Sequence, residues 1–158
     1  MSVLALDLGS TTGFMLKCRG GAVLHGFWAL KGGRSEGAGM RYLRFRSCLG
    51  DLHAKSKVQY IVFEDVRRHN GTDAAHVFGG LRAILMAFCE EHAIPYEGVP
   101  VQTIKKFVTG KGNAGKREVI AAVKRYGFSG VVDDNEADAV ALMLLKLEDP
   151  VVRRILAL

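Results

Sequence analysis

The sequence predicts an α/β fold with a mixed five-stranded sheet, a three-stranded antiparallel meander continued by parallel strands, and helices on both faces. Short apolar, alternating runs open the chain and are separated only by glycine-containing turns. Beyond them, strand-like runs alternate with segments of helical period. At 158 residues the chain is long enough for one well-packed core, and the whole of 1–158 is read as a single domain.

Ser2–Leu8 reads as a buried strand that begins at once. Gly9–Gly13 is a tight turn of small polar residues, and Phe14–Cys18 returns as a second strand. Gly20 and Gly21 suit a hairpin loop before a third strand at Ala22–Leu30. Lys31–Gly39 is a glycine-rich loop. Met40, Leu43, Phe45, Leu49 and Leu52 give Met40–Lys55 near-helical spacing. Val58–Glu64 is a short apolar run ending in an acid, hence a central strand. Thr72–His92 is helical, with Thr72 or Asp73 as N-cap, and Ile94–Val99 is the fifth strand. Val101–Val108 is a short helix, Gly110–Gly115 a loop, and Lys116–Tyr126 and Asp134–Leu147 the last helices, Pro150 ending the second. This order sets the middle of the first strand beside the end of the fourth.

No apolar stretch approaches the roughly 20 residues of a membrane helix, and MSVLALDLGS lacks the basic region of a secretory signal. Cys18, Cys48 and Cys89 are scattered, with no CxxC pair, which points to packing roles in a reducing compartment. A cytoplasmic setting, with no membrane partner, is expected. The net charge of +6 favours a polyanionic partner. Basic residues group at Arg41–Arg46, Arg67–His69, Lys105–Arg117 and Arg153–Arg154, and acids at Glu64–Asp65 and Asp133–Asp138. An acidic centre ringed by basic segments suits an enzyme that acts on phosphodiesters; solvated helix faces would give any one cluster alone.

The acids carry the chemistry. Asp7 interrupts an apolar first strand, and Glu64 closes an apolar fourth. Buried carboxylates on neighbouring strands repel one another unless a cation joins them. Asp138 lies among Ala137, Ala139, Val140 and Ala141, so its helix face packs on the sheet. Asp134 and Asn135 share that face, and either could add a ligand. Oxygen-only donors favour Mg²⁺, with Mn²⁺ as substitute, over zinc. Two such ions suit in-line phosphodiester hydrolysis, and a lysine near the phosphate adds charge stabilisation. Taken singly, each acid also fits a solvent-edge glutamate or an N-capping aspartate.

Four segments carry a resemblance over most of the chain. They are Leu4–Gly9 with Thr11-Thr12-Gly13; Val62–Val66 with Asn70, Asp73–Ala75, Gly79 and Arg82; Thr109–Val119; and Asp134–Ala141. In motif, order and spacing they resemble the RuvC-type Holliday-junction resolvases, and the element order is that of the RNase H-like fold. The resemblance implies that Asp7, Glu64 and Asp138 are metal carboxylates, that Lys116 approaches the scissile phosphate, and that Lys111 binds the DNA backbone. With Arg67, Arg68 and Arg117, these lysines make up the expected DNA contacts. It further implies a homodimer that nicks a four-way junction symmetrically, with the apolar side of Thr72–His92 as dimer contact, though burial in the core explains the same pattern. The family's fourth ligand falls on Asn135, a neutral amide, unless Asp134 replaces it, and its aromatic wedge falls near Arg67, which can stack on a base. These departures suit a bacteriophage-type member with broad branched-DNA activity, in a bacterial or phage-infected cell.

Other readings stay open. Asp7–Gly13 also resembles the first phosphate loop of actin-like ATPases and sugar kinases, which need a second such domain around ATP. Gly110–Arg117 nearly matches a P-loop, but Arg117 stands where a hydroxyl must bind Mg²⁺, so no nucleotide cofactor is expected. A non-catalytic DNA-binding module, or an RNase H-like or YqgF-like nuclease acting on RNA or a hybrid, shares the same residues. His69 and His76, beside the second acid, read as surface or capping residues.

Overall fold

A computed structural model describes residues 1–69 and 71–158; Asn70 of the second motif lies outside the described residues. The strands are β1 (Ser2–Asp7), β2 (Thr11–Cys18), β3 (Val23–Ala29), β4 (Val58–Asp65) and β5 (Tyr96–Pro100). They form one five-stranded sheet in the order β3-β2-β1-β4-β5. β1 and β3 run antiparallel to β2, while β4 is parallel to both β1 and β5. The helices are α1 (Met40–Ser56), α2 (Thr72–Glu91), α3 (Val101–Thr109), α4 (Lys116–Arg125), α5 (Asp134–Lys146) and α6 (Pro150–Leu156).

The two-residue period of the strands divides the core into two layers. Leu4, Leu6, Phe14, Leu16, Ile61 and Phe63 point to one face, where Phe45 and Leu49 of α1 and Phe78, Leu81 and Leu85 of α2 cover them. Val3, Ala5, Met15, Val62 and Val99 point to the other, under Ile104 of α3, Val119 of α4, Val140 of α5 and Val152 of α6. β1 is buried on both faces, as a central strand with parallel and antiparallel neighbours must be.

Several boundaries differ from the sequence expectation. β1 ends at Asp7, so the first acid sits at the strand's end, not in its middle. β2 starts at Thr11 because the buried Thr12 hydroxyl clips the turn, donating to the Gly9 carbonyl at 2.8 Å. The N-cap of α2 is Gly71, with Thr72 and Asp73 already helical. Of the two explanations the sequence leaves for the apolar side of α2, the structure shows core burial: Phe78, Leu81, Leu85, Phe88 and Cys89 are buried within the chain. Pro150 starts α6 as well as following α5: its missing N–H is no loss in a first turn, where Asp149 accepts from the Val151 N–H at 2.8 Å.

α5 is fastened at both ends. Asp133 caps it by accepting from the Glu136 N–H at 3.0 Å, and Glu136 Oε1 meets His25 Nδ1 of β3 at 2.6 Å. At the far end the buried Lys146 ammonium binds Glu97 at 2.8 Å and Asp149 at 2.6 Å, and Tyr60 donates to the same Glu97 oxygen at 2.7 Å. A charge so enclosed needs such partners. Between the ends the helix lies directly on β2 at Gly13, where a Cβ would stand 1.8 Å from the Asn135 carbonyl oxygen. Gly13→Ala therefore forces α5 off the sheet. We expect a loss beyond the ~1–3 kcal/mol of ordinary overpacking, read as a lower urea midpoint, whereas Gly33→Ala, which meets nothing within 4 Å, leaves the midpoint unchanged. Equal midpoints for the two variants would refute the close approach.

Candidate active site

The strand period aims two of the acids. Asp7 continues the Val3–Ala5 side of β1, and Glu64 continues the Tyr60–Val62 side of β4, so both side chains face the α5 layer. The parallel register pairs Leu6 with Phe63, which sets Asp7 and Glu64 level at the carboxyl ends of adjacent strands. Gly13 lies opposite Asp7 on β2, and because it has no side chain α5 can descend there and present Asp138. One carboxylate oxygen from each of Asp7, Glu64 and Asp138 lies within 4.8 Å of the others. The donor set is all oxygen, which fits a hard cation.

This proximity perturbs each acid. Burial raises the Asp7 pKa well above its ordinary value, and the charges of Glu64 and Asp138 push it further. Burial also raises Glu64, against the pull of its hydrogen bond with Asp7 and of the Lys105 cation. Asp138 is pushed up to about 7, first by burial and then by the Glu64 charge. Three full negative charges are therefore unfavourable here near neutrality without a cation.

Cations surround the acids. Lys105 of α3 acts on both Glu64 and Asp138. Lys116, at the start of α4, pairs with Asp134, whose own charge raises Asp7 and Asp138. The Asn135 amide instead donates to the capping carboxylate of Asp133 at 3.3 Å. Lys111 and the exposed Arg117 lie farther along the basic segment, with Lys111 3.5 Å from Glu118. Arg67 and Arg68 line a groove of about 670 Å³ that begins at Glu64 and runs past Val101 and Gln102, and Arg67 reaches Asp65 at 3.5 Å. His76 is exposed, and the half-buried His69 packs on Phe78 with ring centroids 4.9 Å apart.

Sequence reasoning grouped Lys105 with a basic segment without singling it out. Its signal is positional: Val99 pairs with Glu64 on β5, and α3 follows that strand directly.

No protein-family model matches the sequence, and no curated protein matches it either. Solved structures do. Thermus thermophilus RuvC in complex with a Holliday junction substrate matches at a TM-score of 0.72 with 21% identity, over 91% of both chains. A second Thermus thermophilus RuvC structure matches at 0.69 and 23% identity, over 91% of this chain and 92% of that one. The yeast mitochondrial Holliday junction resolvase Ydc2 matches at 0.57 and 16% identity, over 88% and 74%. At such identities the likeness establishes the architecture: the chain has the RNase H-like fold of RuvC.

The raised acids fix the sign of a pH response. A carboxyl whose folded pKa is raised favours the protonated fold, so its contribution is present below the ordinary 3.8 and lost as pH rises through about 7. The metal-free protein should melt at progressively lower temperature between about pH 4 and 7. Added Mg²⁺ should reverse the loss at neutral pH, and Asp138→Asn should flatten the profile. A metal-free melting temperature that rises over this range would contradict the mutual repulsion.

Proposed function

We propose that the chain is a divalent-metal-dependent endodeoxyribonuclease that resolves four-way or otherwise branched DNA junctions by symmetric phosphodiester hydrolysis. The observation that carries this reading is the convergence of Asp7, Glu64 and Asp138 at the ends of β1 and β4, in the fold of RuvC and beneath cationic side chains. The solved relatives point the same way: one RuvC structure holds a Holliday junction substrate, and the yeast protein is a Holliday junction resolvase.

Asp7, Glu64 and Asp138 would hold Mg²⁺, with Mn²⁺ as substitute. Bound there, the metal supplies charge neutralisation and Lewis-acid polarisation of a phosphodiester. Asp134 is favoured over Asn135 as a further oxygen donor, because its charge already reaches Asp7 and Asp138 while the Asn135 amide is held by Asp133. Lys105 and Lys116 stabilise the negative charge that develops on the phosphate. Lys116, whose side chain is 77% exposed, can turn from the half-buried Asp134 to that phosphate. Arg67 and Arg68, in the groove that opens at Glu64, and Lys111 and Arg117 at the start of α4 hold the DNA backbone on either side. Arg67 is 80% exposed at its side chain and free to stack on an unpaired base at the branch.

Paired nicks need two active sites, and so a second copy of the chain, docked on the outer side of α2 where Gly79, Ala83 and Ala87 are exposed. Broad branched-DNA selectivity, of a bacteriophage type, and action in the cytoplasm complete the reading.

A synthetic four-way junction, a linear duplex and an RNA–DNA hybrid, each incubated with Mg²⁺ or EDTA, discriminate the alternatives. We expect symmetric paired nicks on the junction with Mg²⁺ and none with EDTA. Cleavage of the hybrid alone would transfer the activity to RNA. Asp7→Asn should abolish cutting while keeping junction binding, and Lys105→Ala and Lys116→Ala should each slow it on the order of 100-fold. An Asp7→Asn variant that still cuts would place the chemistry elsewhere.

A further inference from the structure

The geometry points to a second phosphate-binding site, formed by Lys31 and Arg41, that grips the sugar–phosphate backbone of a DNA arm beside the acidic centre. It rests on the nuclease function proposed above and adds where a flanking arm lies.

Ser10, in the turn just after Asp7, locates both cations. Its carbonyl accepts from the Leu30 N–H at 2.9 Å, which sets the next residue, Lys31, against the turn. Its hydroxyl accepts from Arg41 Nη1 at 3.4 Å. A groove of about 450 Å³ opens between them, lined by Gly9, Ser10, Lys31, Arg41, Val66 and His69, with Asp73 as its acid. A second depression of about 270 Å³ shares Lys31 and Arg41 and extends to Arg34 and Glu36. Val66 also lines the groove that holds Glu64, Arg67 and Arg68. The first depression thus meets the Glu64 groove at Val66, just after β4, and joins the second at Lys31 and Arg41.

The charge pattern fits a polyanion. On α1, Arg44 pairs with Glu36 at 2.5 Å and Arg46 with Glu91 at 2.6 Å, but Arg41 and Lys31 have no carboxylate partner among the described residues. Arg41 is half-buried, and a cation so placed favours an anionic partner of its own. The first turn of α1 carries no acid, so nothing there offsets the positive end of the helix dipole, although the Met40 and Tyr42 N–H groups are taken by the Gly37 and Gly39 carbonyls. At Gly33, Gly37 and Gly39 an added Cβ would meet nothing within 4 Å, so the surface there is open to a phosphate chain.

The test uses the full chain carrying Asp7→Asn, titrated with a long-armed synthetic four-way junction at salt concentrations from about 50 to 200 mM. Adding Lys31→Gln and Arg41→Gln should reduce the slope of log affinity against log salt by about 2, and Arg41→Lys should keep it. Lys55→Gln, an exposed lysine in the last turn of α1, should leave the slope unchanged. Circular dichroism and melting temperature check that the variants are folded. An unchanged slope in a double variant whose parent binds the junction overturns the second site and leaves the nuclease function standing. A parent that binds no junction overturns both.

Discussion

Three carboxylates whose oxygens converge within 4.8 Å, in a site where burial already opposes ionisation, are the constraint around which the rest of the fold is arranged. A protein with no use for this arrangement would be more stable with apolar residues at the ends of β1 and β4, because buried like charges raise one another's pKa and load the fold at neutral pH. The surroundings make sense only as a means of tolerating that load. Lys105 lowers the demand on Glu64 and Asp138 without joining the cluster, and Lys116 is held nearby by Asp134.

Holding three acids in register requires that their carriers do not move, and the energetics of packing provide this. Asp7 and Glu64 sit at the ends of the adjacent central strands β1 and β4, whose side chains are largely buried against helices on both faces. Asp138 rides on a helix that is fixed at its N-terminus by the Asp133 cap, the His25–Glu136 pair and the bare backbone of Gly13. Its C-terminus is fixed by the enclosed Lys146 network. A buried network of this kind gains little over apolar packing in net stability, but losing one partner leaves an uncompensated charge. Its use here is positional, since it sets the register of α5 on the sheet and with it the place of Asp138.

The faces of the strands and the three acids were legible in the sequence because both depend on short-range pattern. Period-2 alternation gives the face of each strand, and an acid in a run such as Leu4–Leu8 or Ile61–Glu64 contradicts its neighbours. What was missed depends on contacts that a pattern does not carry. Pro150 reads as a stop, yet the Asp149 cap turns it into the first residue of another helix. Gly71 caps α2 without a side chain to betray it. The apolar side of α2 fits a partner or a core equally well until the sheet beneath it is seen. Lys105 lies among other lysines, and only the pairing of Val99 with Glu64 brings α3 over the acids.

The basic residues near the site share one further property. Lys116, Lys111 and Arg67 each have an acid of this chain within reach, namely Asp134, Glu118 and Asp65, and in each pair the basic side chain is largely exposed. Pairs whose basic partner is this exposed are screened by water and salt, and a long side chain must be ordered to form each. Exchanging the carboxylate for a DNA phosphate therefore sacrifices little, while the counterions released from the DNA favour the exchange. In the free protein the acids keep the cations from repelling one another. On the proposed nuclease function, a DNA phosphate that took Lys116 would free the Asp134 carboxylate, whose charge already reaches Asp7 and Asp138, to serve as a further oxygen donor at the acidic cluster. Substrate binding and completion of the acidic centre would then be coupled through a single lysine.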